Sequence, residues 1–217
     1  MKTEGYRYIE ELLTRYPSLE VCRKDIREAY GILESAYASG GKLLVVGNGG
    51  SAADAEHIVG ELMKGFLLPR RVKEEYTQAL TAADAELGGV LAERLQGALP
   101  AIALTGHPAL STAYMNDCDP LLCFAQQVNG YGCRGDVLLA LSTSGQSRNI
   151  LFAVTAARAK GIKVIGMTGS AESQLSARAD VCIRVPEQET YRVQEQHLPI
   201  YHCLCMMLEA HFFGEEG

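Results

Sequence analysis

The sequence has no apolar run approaching the roughly 20 residues that a membrane-spanning helix needs. Its beginning, MKTEGYRYIEELLTRYP, lacks the apolar centre and the small-residue cleavage site of a signal peptide. The seven cysteines are scattered and include no CxxC pair, so neither a disulfide framework nor a zinc knuckle is indicated. We therefore expect a cytoplasmic protein with reduced thiols that does not enter a membrane.

Further absences exclude whole classes of ligand. The glycine-rich turn after the first predicted strand (47–51) is not a GxGxxG fingerprint, and neither it nor the hydroxyl-rich turn at 142–147 is a GxxxxGK[ST] loop, so dinucleotide and nucleoside triphosphate binding lose their usual sequence support. The formal net charge of −6 weighs against a broad nucleic-acid surface, because phosphate backbones require clustered lysine and arginine. A small anionic ligand remains compatible with this charge. No repeat, low-complexity segment or flexible linker divides the 217 residues, and we predict one domain over residues 1–217.

Short apolar runs alternate with helical segments along most of the chain. The runs are KLLVVG (42–47), LPAIAL (99–104), DVLLALS (136–142), KVIGMTG (163–169) and DVCIRVP (180–186). Runs of this kind are typical of strands buried on both faces. With helices between them they predict an α/β fold, a single doubly wound, parallel, five-stranded sheet flanked by helices and built with right-handed crossovers.

Helical patterns also lie outside this alternation. Two helices are predicted before the first strand, over residues 6–16 and 18–39, with Pro17 between them. A long segment rich in alanine, leucine and glutamate, residues 66–100, separates the first two strands and predicts a helical insertion broken near Gly88 and Gly89. A last helix is predicted over residues 189–213.

Two turns follow predicted strands, at the edge where parallel α/β sheets bind ligands. The first is GNGGS (47–51), where glycine permits positive φ and Ser51 is placed to cap the next helix. The second is STSGQS (142–147), a hydroxyl-rich turn before a helix. Backbone N–H groups at a helix start form an anion site, which hydroxyls extend. Either turn alone is equally well explained as an ordinary strand-to-helix connection; the two together favour a binding site.

Four side chains form a candidate metal site with proton carriers. His57 and Glu61 are four residues apart on one predicted helix, and Gln194 and His202 are eight apart, about two turns, on the last helix. Imidazole, carboxylate and amide donors suit zinc or another divalent ion. The alternative interpretation is a surface pair together with a hydrogen-bonded core histidine.

Four stretches of the sequence carry a family resemblance: GNGGSAADAEHIVGE (47–61), MND (115–117), STSGQS (142–147) and RVQEQHLPIYH (192–202). Together they resemble the SIS (sugar isomerase) domain and, within it, the bacterial phosphoheptose isomerases. This resemblance implies the SIS fold and an aldose-ketose isomerase that converts sedoheptulose 7-phosphate to D-glycero-D-manno-heptose 7-phosphate through an enediol.

The resemblance also implies roles for individual residues. The first substrate loop matches Asn48, Gly49, Gly50 and Ser51, the sugar site matches Asn116 and Asp117, and the phosphate turn matches Ser142, Thr143, Ser144 and Ser147. The implied ligands of one zinc or other divalent ion per site are His57, Glu61, Gln194 and His202, of which Glu61 and Gln194 also face the substrate. Glu61 and His202 are the expected proton carriers, and the expected assembly is a homotetramer with sites at subunit boundaries.

Three features depart from the family pattern. Tyr191 stands where some members have aspartate, and Gln146 replaces a common asparagine, so contacts to the distal sugar hydroxyls are expected to differ. The insertion over residues 66–100 is longer than the equivalent loop of compact members. The alternatives to an enzyme are a non-catalytic SIS sensor of sugar phosphates and a replication-initiator-associating adaptor. Glu61 and His202 favour the enzyme, and another sugar phosphate of similar length is a further alternative substrate.

Overall fold

The computed structural model describes the backbone of residues 2–214 and the side chains of residues 5–214. The helices are α1 (Lys2–Arg15), α2 (Arg23–Ala38), α3 (Gly50–Met63), α4 (Glu74–Ala83), α5 (Ala85–Arg94), α6 (Pro108–Asp117), α7 (Cys123–Tyr131), α8 (Arg148–Ala159) and α9 (Thr190–Phe213). The strands are β1 (Leu43–Val46), β2 (Ala101–Ala103), β3 (Val137–Leu141), β4 (Lys163–Thr168) and β5 (Val181–Arg184). Within the described range, no helix is long and apolar enough to cross a membrane.

The five strands form one parallel sheet in the order β2-β1-β3-β4-β5. Each strand lies within the apolar run that predicted it, so the predicted sheet is confirmed. From β1 the chain first adds β2 on one side and later β3 on the other. This reversal is a topological switch point, and the carboxyl ends of β1 and β3 border the crevice where open α/β sheets bind ligands.

The core lies on both faces of the sheet, as the continuous apolar runs predict. In β1, Leu43 and Val45 pack with apolar residues of α1, α2, α3 and α9. Their neighbours Leu44 and Val46 pack on the other face with α7 and α8. Since successive strand residues point to opposite faces, each helix layer takes alternate side chains of the same strand. This double packing fixes α3 and α9 together beside the switch point.

The second N-terminal helix begins later than the predicted residue 18. Residues Pro17–Cys22 form a 3₁₀ helix, and α2 starts only at Arg23. Leu19 and Cys22, three residues apart, are both fully buried. A 3₁₀ helix aligns side chains at this spacing, which explains why the tighter turn buries both residues after the rigid Pro17.

The insertion is helical between residues 74 and 94, but the predicted break near Gly88 and Gly89 is wrong. The break is at Asp84, whose carboxylate accepts hydrogen bonds from the backbone N–H groups of Glu86 (3.0 Å) and Leu87 (2.7 Å) and so caps α5. Gly88 lies within α5, where a Cβ would meet the carbonyl oxygen of Leu80 at 2.0 Å. Because glycine has no Cβ, Gly88 allows α4 and α5 to pack this closely.

Candidate active site

The two predicted ligand turns lie side by side at the switch point. Asn48 follows β1, and its amide exchanges two hydrogen bonds with the amide of Asn149, near the start of α8: 3.0 Å from Asn48 Nδ2 to Asn149 Oδ1, and 2.8 Å in the reverse direction. Gly49 has φ of 55°, a conformation that favours glycine. The structure thus joins the loop after β1 to the helix after β3 through an asparagine pair that the sequence patterns did not predict.

The serine-rich turn after β3 presents hydroxyls at the amino end of α8. Ser142 is buried, and its Oγ donates to Ser147 Oγ at 3.2 Å, while Ser144 Oγ accepts from the backbone N–H of Gln146 at 3.2 Å. Ser144 is exposed, whereas Thr143 and Ser147 are half-buried. The hydroxyls and the positive end of the α8 dipole therefore form a surface suited to an anion.

Ser51 and Gln194 both lie at the amino end of α3, where the geometry refines their predicted roles. Ser51 does not cap α3, because the helix already begins at Gly50 with Gly49 as its N-cap, and Ser51 is a buried residue of the first turn. Gln194 of α9 lies against Gly50, where a Cβ would meet the carboxamide atoms at 2.7–2.9 Å. The glycine is thus required for the Gln194 carboxamide to reach the amino end of α3.

His57, Glu61 and His202 converge where α3 packs against α9. His57 Nε2 lies 3.1 Å from Glu61 Oε1 and 3.4 Å from His202 Nε2. One ligand atom from each of the three residues lies within 4.8 Å of the others. The His57–Glu61 spacing predicted from the sequence brings the first two together, and the packing of α9 adds the third.

The electrostatics of this cluster favour a neutral imidazole at His202. Partial burial, assisted by the neighbouring His57, lowers the pKa of His202, so the ring tends to keep a lone pair free. Glu61 Oε2 accepts from the Lys64 ammonium at 3.2 Å, which holds the carboxylate in place. Two imidazole nitrogens and one carboxylate oxygen in contact are a donor set that fits zinc or a similar divalent ion.

Asp54 and Tyr201 complete the surroundings of the cluster, and neither was predicted from the sequence. The Tyr201 hydroxyl lies 3.2 Å from Asp54 Oδ1 and 3.0 Å from His57 Nδ1. Desolvation by burial, with the nearby Asp54 carboxylate, raises the pKa of Tyr201, so the hydroxyl keeps its proton. The position of Asp54 three residues before His57, on one helix face, is the signal that could have found it.

Asn116 and Asp117 lie at the exposed end of α6. The Asn116 amide donates to Asp117 Oδ1 at 2.9 Å, and among the described residues neither side chain hydrogen-bonds to either ligand turn or to the histidine cluster. Tyr191 and Gln146, the two departures from the family pattern, are both exposed. The structure thus brings the residues of α3 and α9 and the two turns into one region, and among the described residues it shows no hydrogen bond that ties the Asn-Asp pair to them.

Comparison with known protein families bears on this region directly. The sequence profile of the SIS domain matches residues 81–169, a range that includes the serine-rich turn. The phosphoheptose isomerase of Rhodospirillum rubrum is 39% identical over 188 residues, which cover 87% of this chain and 86% of that protein. That of Alkalilimnicola ehrlichii is 35% identical over 208 residues, covering 94% and 93% respectively.

Solved structures give the same result for the fold. The phosphoheptose isomerase of Neisseria gonorrhoeae superposes with a TM-score of 0.71 at 30% sequence identity, over 95% of this chain and 94% of that chain. The phosphoheptose isomerase of Francisella tularensis superposes with a TM-score of 0.72 at 33% identity, over 93% and 94%. The likeness therefore covers nearly the whole of both chains, including α3 and α9.

Proposed function

The chain belongs to the phosphoheptose isomerase family of SIS-domain proteins. We propose the following roles for its residues in the interconversion of sedoheptulose 7-phosphate and D-glycero-D-manno-heptose 7-phosphate. The chain is an aldose-ketose isomerase of a sugar phosphate. The residue assignment rests on one observation, the convergence of His57, Glu61 and His202. The first two lie on α3, which begins at the first ligand turn, and the third lies on α9, which packs against α3.

The phosphate end of the substrate is bound at the serine-rich turn. Thr143, Ser144 and Ser147 present hydroxyls, and the α8 amino terminus supplies a positive dipole without a fixed charge. Ser142, which is buried, supports Ser147 through the hydroxyl contact at 3.2 Å. Binding energy from this anchored end orients the reacting carbons at the opposite end of the sugar.

The reaction moves the carbonyl from C2 to C1. We assign Glu61 as the base that removes the proton from C1 and returns it to C2, so that an enediol lies between ketose and aldose. His202 carries the proton between the two oxygens: its lowered pKa favours the neutral imidazole, which can take the proton from one oxygen and hand it to the other. Asn48, Gly49, Gly50 and Ser51 border the sugar from the first loop, and Asn116 and Asp117 are assigned to the same substrate.

A divalent metal, zinc by preference, fits the donors His57, Glu61 and His202, with Gln194 as the proposed fourth ligand. When bound, such an ion supplies Lewis-acid polarisation of the carbonyl and enediol oxygens. The chain's own residues still determine which proton moves. Glu61 meets His57 through one oxygen and Lys64 through the other, so its carboxylate is held in a defined orientation.

A homotetramer with sites at subunit boundaries completes the proposal. The insertion leaves Leu87 and Val90 of α5 63% and 45% exposed, an apolar surface that a second copy of the chain would cover. Asn116 and Asp117, which are exposed and make no hydrogen bond to the histidine cluster among the described residues, would then border the site of a neighbouring subunit. A cytoplasmic location stays a prediction.

The base assignment is tested by Glu61→Gln. An amide cannot accept the carbon-bound proton at neutral pH, and loss of general base catalysis costs about 10²–10⁴ in rate. We expect kcat for isomerisation of sedoheptulose 7-phosphate to fall at least about 100-fold, measured together with zinc content by mass spectrometry. Glu56→Gln, an exposed residue on the same helix, is the matched control. Activity of Glu61→Gln within a few-fold of the wild type would remove Glu61 from the base role.

A further inference from the structure

Tyr201 lies between an acid and an imidazole that both belong to α3. The residue is 1% exposed, and its hydroxyl contacts Asp54 Oδ1 at 3.2 Å and His57 Nδ1 at 3.0 Å. Asp54 Oδ2 is buried and has no hydrogen-bond partner among the described residues. The carboxylate therefore depends on the tyrosine hydroxyl for its buried hydrogen bond.

The number of protons available in these contacts determines which group donates in each hydrogen bond. A tyrosine hydroxyl has one proton to donate, and an ionised carboxylate can only accept. The hydroxyl therefore donates to Asp54, and its oxygen is left to accept from His57. An imidazole nitrogen that donates must carry a hydrogen, so Nδ1 of His57 carries one, and whenever the ring is neutral the lone pair is on Nε2.

The free lone pair faces the catalytic cluster. His57 Nε2 lies 3.1 Å from Glu61 Oε1 and 3.4 Å from His202 Nε2. A lone pair that faces a carboxylate oxygen at this distance needs a cation or a proton between the two atoms, because two acceptors repel each other. A histidine whose second nitrogen is tied to a hydrogen-bond partner is the usual arrangement of a metal ligand.

We propose that Tyr201, held by Asp54, is a positioning residue that fixes His57 as the Nδ1–H tautomer and so keeps Nε2 available to a divalent cation. This inference rests on the proposed metal role of His57. It assigns Tyr201 no contact with the substrate; the hydroxyl acts only through the orientation and tautomer of the His57 ring.

Two substitutions separate this role from general packing. Tyr201→Phe keeps the ring and removes the hydroxyl, so the tautomer of His57 is no longer imposed. Asp54→Ala removes the acceptor, so the hydroxyl is free to donate to Nδ1, which favours the opposite, Nε2–H tautomer. Tyr37→Phe is the matched control, because it removes another buried tyrosine hydroxyl, one that donates to the Pro100 carbonyl oxygen at 3.3 Å.

The test combines two measurements on the full chain. Long-range ¹H–¹⁵N correlation spectra of the metal-free protein report the His57 tautomer, and competition with a chromophoric chelator gives the zinc affinity. We expect a hydrogen on His57 Nδ1 in the wild type and in Tyr37→Phe, with or without a second hydrogen on Nε2 facing Glu61, whereas Tyr201→Phe should give a mixture and Asp54→Ala the Nε2–H form. Zinc affinity should fall about 10- to 100-fold in Tyr201→Phe, the range found for loss of such supporting partners.

Three results would overturn the inference: a wild-type protein in the Nε2–H form, a Tyr201→Phe variant with unchanged tautomer and zinc affinity, or an equal loss of affinity in Tyr37→Phe. A wild-type protein that binds no zinc would instead refute the proposed metal role. In that case the tautomer spectra still decide whether Tyr201 and Asp54 determine the state of His57.

Discussion

Replacing Glu209 by glutamine should destabilise the fold through a buried ion pair that the reaction does not use. Glu209 and Arg70 have side chains 1% and 0% exposed, with Arg70 Nε 2.7 Å from Glu209 Oε1. The same carboxylate accepts from the backbone N–H groups of Phe66 (2.7 Å), Leu67 (2.7 Å) and Leu68 (3.2 Å). The amide in Glu209→Gln turns an N–H₂ group toward these donors and leaves the Arg70 charge unpaired.

The expected cost is about 3–5 kcal/mol of unfolding free energy, the range for breaking one partner of a buried pair. Urea unfolding at fixed protein concentration measures it, because self-association would otherwise shift the midpoint. Glu28→Gln is the control: its partner Lys24 lies 3.6 Å away on an exposed helix face, and its loss should cost less than about 1 kcal/mol. A Glu209→Gln variant as stable as this control would refute the reasoning.

The serine-rich turn, His197 and the insertion each allow a further test. Ser144→Ala with Ser147→Ala should raise KM for the sugar phosphate at least about tenfold, because hydrogen bonds to a charged group are worth about 1.5–3 kcal/mol each; steady-state kinetics with an unchanged KM would contradict the phosphate assignment. Burial lowers the pKa of His197 to about 4, so the unfolded chain binds more protons below its ordinary pKa near 6.5, and stability is lost as the pH falls through that window. Between pH 7 and pH 5 the wild type should lose about 2 kcal/mol more than His197→Gln in urea unfolding; equal losses would show that His197 does not titrate in this way. Deleting residues 74–94 should lower the oligomeric mass in light scattering together with turnover, whereas a fully active monomer would argue against shared sites.

The fold class and the contact between His57 and Glu61 could be predicted from the amino-acid order alone, because they depend on local patterns. The apolar runs predict the five strands, since a strand buried on both faces has little room for polar positions. The four-residue spacing of His57 and Glu61 is enough to place them on one helix face, where they are found in contact. The family motifs predict roles for the serine-rich turn and the remaining donors, and the relatives confirm the family itself.

The meeting of residues from distant elements depends instead on tertiary packing. His202 contacts His57 across 145 positions of sequence, and Tyr201 links α9 to Asp54 across 147. Periodicity reports which face of a helix is apolar, but it carries no information on which neighbour that face packs against or which hydrogen bonds form at the contact. Glu209 shows the same limit: in the sequence it is an ordinary acidic residue near the end of a helix, and only the packing of residues 66–70 against α9 makes it a buried counter-charge. Such contacts follow from the shapes of the packed layers, which no single stretch of the chain specifies.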